Sequence, residues 1–271
     1  MDKLHFLTAG IPSTAKDYTN AFKILSDYNL DGLEVEFVHG VRYSPKTREA
    51  ILNRGDKLIT HHGPYYINLN AKEPDKNEAS IKRVLDTARA AKDLNAYSIT
   101  YHAAFYLGGN SKDVTKKMIE QHEIITNTLQ AEENNIWVRP ETTGKNSQWG
   151  TLDEIIELSK HFKNILPCID FAHMHARNNG IFNTYDEFCK ILEKLGKELG
   201  DTAINNFHGH VAGIEYSLKG EKKHLIFEES DFNYKDLLKA MKEFNIKGAL
   251  VCESPNIEID AKILKDYYTS L

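Results

Sequence analysis

Apolar positions along the chain fall into eight short runs, each followed by a stretch with helical spacing. The runs are Lys3–Thr8, Asp31–Phe37, Lys57–His62, Tyr97–His102, Ile136–Glu141, Ile165–Asp170, Ile204–His210 and Lys247–Glu253. They are mostly apolar or β-branched, as parallel strands buried on both faces are. Between them, Ile81, Val84, Leu85, Ala88 and Ala91 recur at the spacing that lines one face of a helix. Thr151 followed by Glu154 reads as a capping box that opens a helix over Leu152–His161. Phe188, Ile191, Leu192 and Leu195 make another stripe, and Leu237, Leu238, Met241 and Phe244 precede the last run. Eight strand–helix units predict an α/β fold, a closed parallel (β/α)8 or TIM barrel spanning residues 1–271 as one domain. A doubly wound open sheet is the alternative, but the first run leads into Ala9-Gly10-Ile11-Pro12 and no GxGxxG turn.

The chain ends of these runs carry the chemistry. The third ends at His62, the fourth at His102, the fifth at Glu141, the sixth at Asp170 with His173 three residues on, the seventh at His210 and the eighth at Glu253. In a parallel barrel all strand ends meet at one mouth. Residues as far apart as His62 and Glu253 then face one point. Each sits directly after an apolar run, where an unpaired carboxylate is costly to bury. Three acids converging there would repel one another unless a cation sat among them. Imidazoles and carboxylates on a rigid frame suit a divalent metal.

Composition changes this picture little. The chain is 41% apolar and 27% charged, as an ordinary globular protein is, and no apolar run approaches the ~20 residues of a membrane span. Met1-Asp2-Lys3-Leu4-His5 lacks the pattern of a signal peptide, so a cytoplasmic location is expected. Cys168, Cys189 and Cys252 form no CxxC pair and are expected as reduced thiols. The net charge of −5 means that a nucleic-acid partner would need local positive charge, to which bound metals would contribute.

Three segments carry a resemblance to the endonuclease IV family of apurinic/apyrimidinic (AP) endonucleases. They are His62-Gly63-Pro64-Tyr65-Tyr66-Ile67-Asn68-Leu69, Pro140-Glu141-Thr142-Thr143-Gly144 and Cys168-Ile169-Asp170-Phe171-Ala172-His173. The segments His208–Tyr216 and Gly220–Leu225 look like an archaeal branch of that family. The resemblance implies a site for two or three zinc ions, with manganese or another divalent metal as an alternative. His62, His102 and Glu141 would hold the first ion. Glu141 would bridge to a second, held also by Asp170, His210 and Glu253. His173 and His224 would hold the third. Where the family has an aspartate two residues before His224, this chain has Lys222, and Glu221 is the candidate replacement. Ala103-Ala104 also replaces the family's Pro-Gly after His102. The implied activity is that of a zinc-dependent hydrolase. It would cut duplex DNA 5′ to abasic sites with a metal-activated hydroxide, Glu141 and Glu253 being the catalytic candidates. Tyr65, Tyr66, Arg42 and Lys145 are the candidate DNA contacts, the tyrosines and Arg42 as wedges into the stack. No membrane or protein partner is implied.

Several further residues have plain structural roles open to them. His61 should face the helices, because it alternates with His62. His208 shares a face with His210 and lies deeper, either supporting the ligands or as a core histidine. Arg177, Lys219, Lys222 and Lys223 fall on loops that would line a phosphate path or be solvated. Arg139 is expected as a charge partner inside the barrel. The main rival function is a single-metal sugar isomerase or 3-epimerase on the same barrel. Glu141, Asp170, His210 and Glu253 would also serve that chemistry, with the two glutamates as acid and base. His62, His102, His173 and His224 discriminate, since one metal needs no further imidazoles.

Overall fold

A computed structural model describes residues 1–271. Eight parallel strands form one sheet: β1 (Leu4–Ala9), β2 (Gly32–Glu36), β3 (Leu58–His62), β4 (Ser98–Tyr101), β5 (Trp137–Pro140), β6 (Ile169–Asp170), β7 (Phe207–Val211) and β8 (Gly248–Cys252). Their order is β5-β4-β3-β2-β1-β8-β7-β6. Parallel bridges Val138–Ile165 and Glu141–Cys168 join the two ends and close the barrel. The sixth run is a ladder over only its last two residues. Pro167 interrupts it, having no N–H to donate. The start of the seventh run, Ile204–Asn205, ends a short helix instead of opening a strand.

The helices are α1 (Tyr18–Asp27), α2 (Pro45–Leu52), α3 (Pro74–Asp93), α4 (Ser111–Ala131), α5 (Leu152–Ser159), α6 (Phe171–Arg177), α7 (Tyr185–Leu199), α8 (Asp201–Asn205), α9 (Tyr234–Glu243) and α10 (Glu258–Ser270). Setting aside the short α6 and α8 leaves one helix for each strand. The capping box of α5 forms as expected: Glu154 N–H donates to Thr151 Oγ1 at 3.3 Å, and Thr151 N–H donates to Glu154 Oε2 at 2.9 Å. The helix stops at Ser159, two residues short of the expected end.

The apolar core lies between sheet and helices, in two clusters of 37 and 20 buried residues. The inside of the barrel differs. Leu7, Ala249 and Val251 form the only small apolar cluster there. By strand alternation, Glu34, Thr60, Ser98, Thr100, Arg139, His208 and His210 share the inward face, and all are buried. A barrel interior is ordinarily filled by branched apolar side chains. A polar interior of this kind trades packing energy for placed chemistry.

Candidate metal centre

Glu141 is the hub. It follows β5, is 1% exposed, and receives imidazoles from three sides. His62 Nε2 lies 3.1 Å from its Oε2, while His102 Nε2 and His173 Nδ1 lie 3.2 and 3.1 Å from its Oε1. His210 Nδ1 is 3.5 Å from Glu141 Oε1 and 3.3 Å from Glu253 Oε1. Five groups of side chains converge closely enough to share an ion, three of them around this hub: His62-His102-Glu141, Glu141-Asp170-His210-Glu253 and Asp170-His173-His224; Cys168-His208-His210 and Glu34-Glu36-Glu253 are the others.

Local folding presents these donors. Asp170 caps α6: its Oδ1 accepts from His173 N–H at 2.6 Å. The cap places its residue three positions on over the same end of the helix, so the Asp-x-x-His spacing delivers both side chains together. The second carboxylate oxygen of Asp170 is left free for the site and makes no hydrogen bond. His62 Nδ1 donates to the Gly63 carbonyl at 2.7 Å and His173 Nδ1 to the Thr142 carbonyl at 3.1 Å. In both rings Nε2 is thereby left as the donor to a cation.

His224 and Glu221 arrive on a hairpin, Gly213–Ser217 paired with Gly220–Leu225. They are three apart and would point to opposite faces of a regular strand. Between them the register slips: Glu221 pairs with Tyr216 and Lys223 with Glu215, leaving Lys222 unpaired as a bulge. A bulge resets the alternation. Glu221 and His224 therefore both line the cavity, and Glu221 Oε2 comes within 3.5 Å of His173 Nε2. Lys222 instead pairs with Glu215. Gly144 makes the fit possible, since a Cβ there would lie 2.6 Å from Glu221 Oε2 and 3.0 Å from the His173 ring.

The mouth is a cavity of about 400 Å³ lined by His62, His102, Glu141, His173, His224 and Glu253, with Glu221, Tyr65, Phe105 and Lys145 at its sides. Asp170 and His210 lie beneath it, fully buried. Tyr65 sits 5.7 Å from the His62 ring, centroid to centroid. Tyr66 does not line the cavity and is 61% exposed. Arg42 is not brought to the mouth either. It lines a groove against α3 with Asp86, Arg89 and Asp93. The neighbouring Tyr43 hydroxyl donates to Asp93 at 2.9 Å and holds that loop outward. Arg177 is consumed by the scaffold, donating to Thr143 Oγ1 at 2.7 Å and to the Gln148 carbonyl at 2.9 Å. Arg139 has no acid partner; it donates to the Asn206 and Pro167 carbonyls and stacks near Tyr97 and Trp137. His61 is buried beside Phe37, and burial pushes its imidazole down to about 3, so it stays neutral.

Two carboxylates escaped the sequence reading. Glu34 and Glu36 point into the barrel from β2, and Glu36 lies close to both Glu34 and Glu253. The signal was the alternation Leu33-Glu34-Val35-Glu36-Phe37, obscured by taking Phe37 as the strand end.

Electrostatics shows a cluster in need of positive charge. Burial pushes the Glu141 carboxyl up, but His102 and His210 pull it well below the usual carboxylate range. Burial pushes Glu253 well above that range, against His210 and with Asp170 adding to the rise. Burial alone would lower His62, yet Glu141 and Glu36 raise it to about 10. Against burial, His173 is raised well above the ordinary value by Asp170 and Glu141, and His210 by Cys168 and Glu253. Without cations, protons on imidazoles must supply the balance. Asp170 Oδ2, His210 Nδ1 and His224 Nε2 are buried without hydrogen bonds. Orphaned donors of this type facing one another are what a bound divalent cation satisfies.

Comparison with known proteins agrees with this architecture. The family described as xylose isomerase-like TIM barrel matches residues 22–267. The chain belongs to that family. It is 43% identical to an uncharacterized protein of Methanocaldococcus jannaschii over 99% of this chain and 98% of that one. It is 26% identical to a probable endonuclease 4 of Oceanobacillus iheyensis, over 59% of this chain and 54% of the relative. Among solved structures, a D-tagatose 3-epimerase-like protein superposes with a TM-score of 0.75 at 20% identity, covering 97% of each chain. Endonuclease IV from Thermus thermophilus superposes with a TM-score of 0.69 at 15% identity, covering 99% of this chain and all of that one. These two likenesses concern the fold. No helix is long and apolar enough to cross a membrane.

Proposed function

We propose that this family member is a zinc-dependent phosphodiesterase of the endonuclease IV type that cuts duplex DNA on the 5′ side of abasic sites. The observation that carries the reading is the convergence of His62, His102, His173 and His224 on the quartet Glu141, Asp170, His210 and Glu253. A single-metal site has no use for four more imidazoles. The partial likeness to a probable endonuclease 4 supports the same reading.

In this proposal His62, His102 and Glu141 hold one ion, and Glu141, Asp170, His210 and Glu253 a second. His173, His224 and Glu221 hold the third, Glu221 standing in for the acid that Lys222 does not supply. Bound divalent metals would supply a nucleophilic water near neutral pH and stabilise charge on the leaving oxygen. Glu141, which belongs to both of the first two donor groups, would contribute to both positions. Glu253 lines the cavity and, with Glu141, is the candidate to exchange a proton with the substrate. Lys145 adds positive charge at the wall. Tyr65 offers an apolar face at the rim; Arg42 and Tyr66 would need loop movement to reach the same DNA.

A second reading, a sugar 3-epimerase, draws on the quartet Glu141-Asp170-His210-Glu253, which by itself holds one metal. Metal counting with incubation on abasic duplex DNA and on a ketose panel separates the two. Two or three ions per chain and a nick 5′ to the lesion support the phosphodiesterase. One ion and ketose turnover would replace it. His102→Ala is expected to abolish nicking while circular dichroism stays unchanged; full activity in that variant would remove the first metal position.

A further inference from the structure

β7 sends two imidazoles into the barrel, and the proposed ligand set uses only one of them. His210 reaches the centre through Nδ1. Its other nitrogen, Nε2, lies 3.0 Å from Glu34 Oε1. The second oxygen of Glu34 lies 3.2 Å from His208 Nε2. His208 Nδ1 in turn meets Ser98 Oγ at 2.9 Å. All four side chains are 0% exposed. A buried chain thus runs Ser98–His208–Glu34–His210 up the barrel axis and ends at the candidate metal centre.

The energetics show that this chain is not filler. A buried carboxylate must be compensated by charge. Apolar side chains of similar volume would pack the same space at no such cost. Each carboxylate oxygen of Glu34 faces one imidazole nitrogen at close range, with no other polar group reaching it.

A histidine ligates through the nitrogen that carries no proton, and the partner of its other nitrogen decides which one that is. For His62 and His173 the partner is a peptide carbonyl. For His210 it is the carboxylate of Glu34. We infer that Glu34 is a positioning residue that keeps the proton of His210 on Nε2 and so dedicates Nδ1 to the ion shared with Glu141, Asp170 and Glu253. His208 and Ser98 hold Glu34 against His210. This rests on reading the cluster as a metal centre, and it is independent of the substrate.

The test compares full-length wild type with Glu34→Gln and Glu34→Leu. Zinc affinity is measured by chelator competition, ion count by native mass spectrometry, and ring-nitrogen state of His210 by long-range proton–nitrogen NMR. Glu34→Gln keeps the volume and guards against misfolding of the leucine variant. The expected result is about 10–100-fold weaker binding of one ion in both variants, with the other positions unchanged. His210 in the zinc-loaded wild type should show Nε2 protonated and Nδ1 bound. Wild-type affinity in both variants, or metal on His210 Nε2, would overturn the inference and leave the metal centre standing. A wild-type chain that takes up no divalent ion would instead overturn the metal centre and this inference with it.

Discussion

At the scale of single residues, the buried polar groups of this protein divide into those that satisfy one another and those that wait for a partner. His122 belongs to the first kind. Its Nδ1 donates to the Met118 carbonyl at 2.7 Å, and the Tyr101 hydroxyl donates to Nε2 at 2.7 Å. Tyr101→Phe leaves Nε2 buried without a donor and should cost about 1–3 kcal/mol in urea unfolding. The same ring sets a pH dependence. Burial pushes His122 down to about 4, against the Met118 contact that raises it. Between that value and about 6.5 the unfolded chain binds a proton that the fold does not. Stability therefore falls as pH drops through this window, and His122→Gln should flatten the slope. Gly144 belongs to the second kind of site. Gly144→Ala should push Glu221 away and cost one bound ion, read as metal equivalents per chain, while leaving the ion under His62 and His102.

At the scale of elements, the hairpin Gly213–Leu225 is an addition docked on the barrel. Several ties hold it. The Tyr216 hydroxyl donates to Asp231 at 2.7 Å, with His175 Nε2 3.1 Å from the same carboxylate. Gly220 makes an antiparallel bridge to Lys145, and Glu221 N–H donates to the Gly144 carbonyl at 2.9 Å. Gly220 has φ +93°, and a Cβ there would lie 2.1 Å from the Gly144 carbonyl oxygen. Gly220→Ala should therefore loosen the second tie at a strain cost of about 1–3 kcal/mol. Hydrogen exchange is expected to quicken across 213–225 and not in the barrel strands. The ion held through Glu221 and His224 should be lost with it. Unchanged exchange in the hairpin would show that the ties through Tyr216 and Ile214 are sufficient without the one at Gly220.

At the scale of the whole molecule, the barrel concentrates six carboxylates and six imidazoles around one axis: Glu34, Glu36, Glu141, Asp170, Glu221 and Glu253 with His62, His102, His173, His208, His210 and His224. Divalent ions that bind only the folded arrangement stabilise it by mass action. Free zinc at about 100 times its dissociation constant should contribute about 2.7 kcal/mol per site. Calorimetry should show a melting temperature several degrees higher with zinc than with chelator. A flat melting temperature across zinc concentrations would count against a metal centre anywhere in the fold.

The sequence alone determined the strand–helix repeat and the imidazoles and carboxylates that end six of its eight strands, because hydrophobic period and chain position are local properties. Thr151 with Glu154, or Asp170 with His173, are legible for the same reason: a helix start fixes their spacing. Glu34 was not, since Glu34 and Glu36 gain meaning only when β2 turns them toward β7 and β8. Nor could the chain alone show that a bulge at Lys222 brings Glu221 and His224 to one face, or that Tyr43 holds the Arg42 loop against α3. Those outcomes depend on strand register and on contacts between segments distant in sequence, and only the closed barrel decides them.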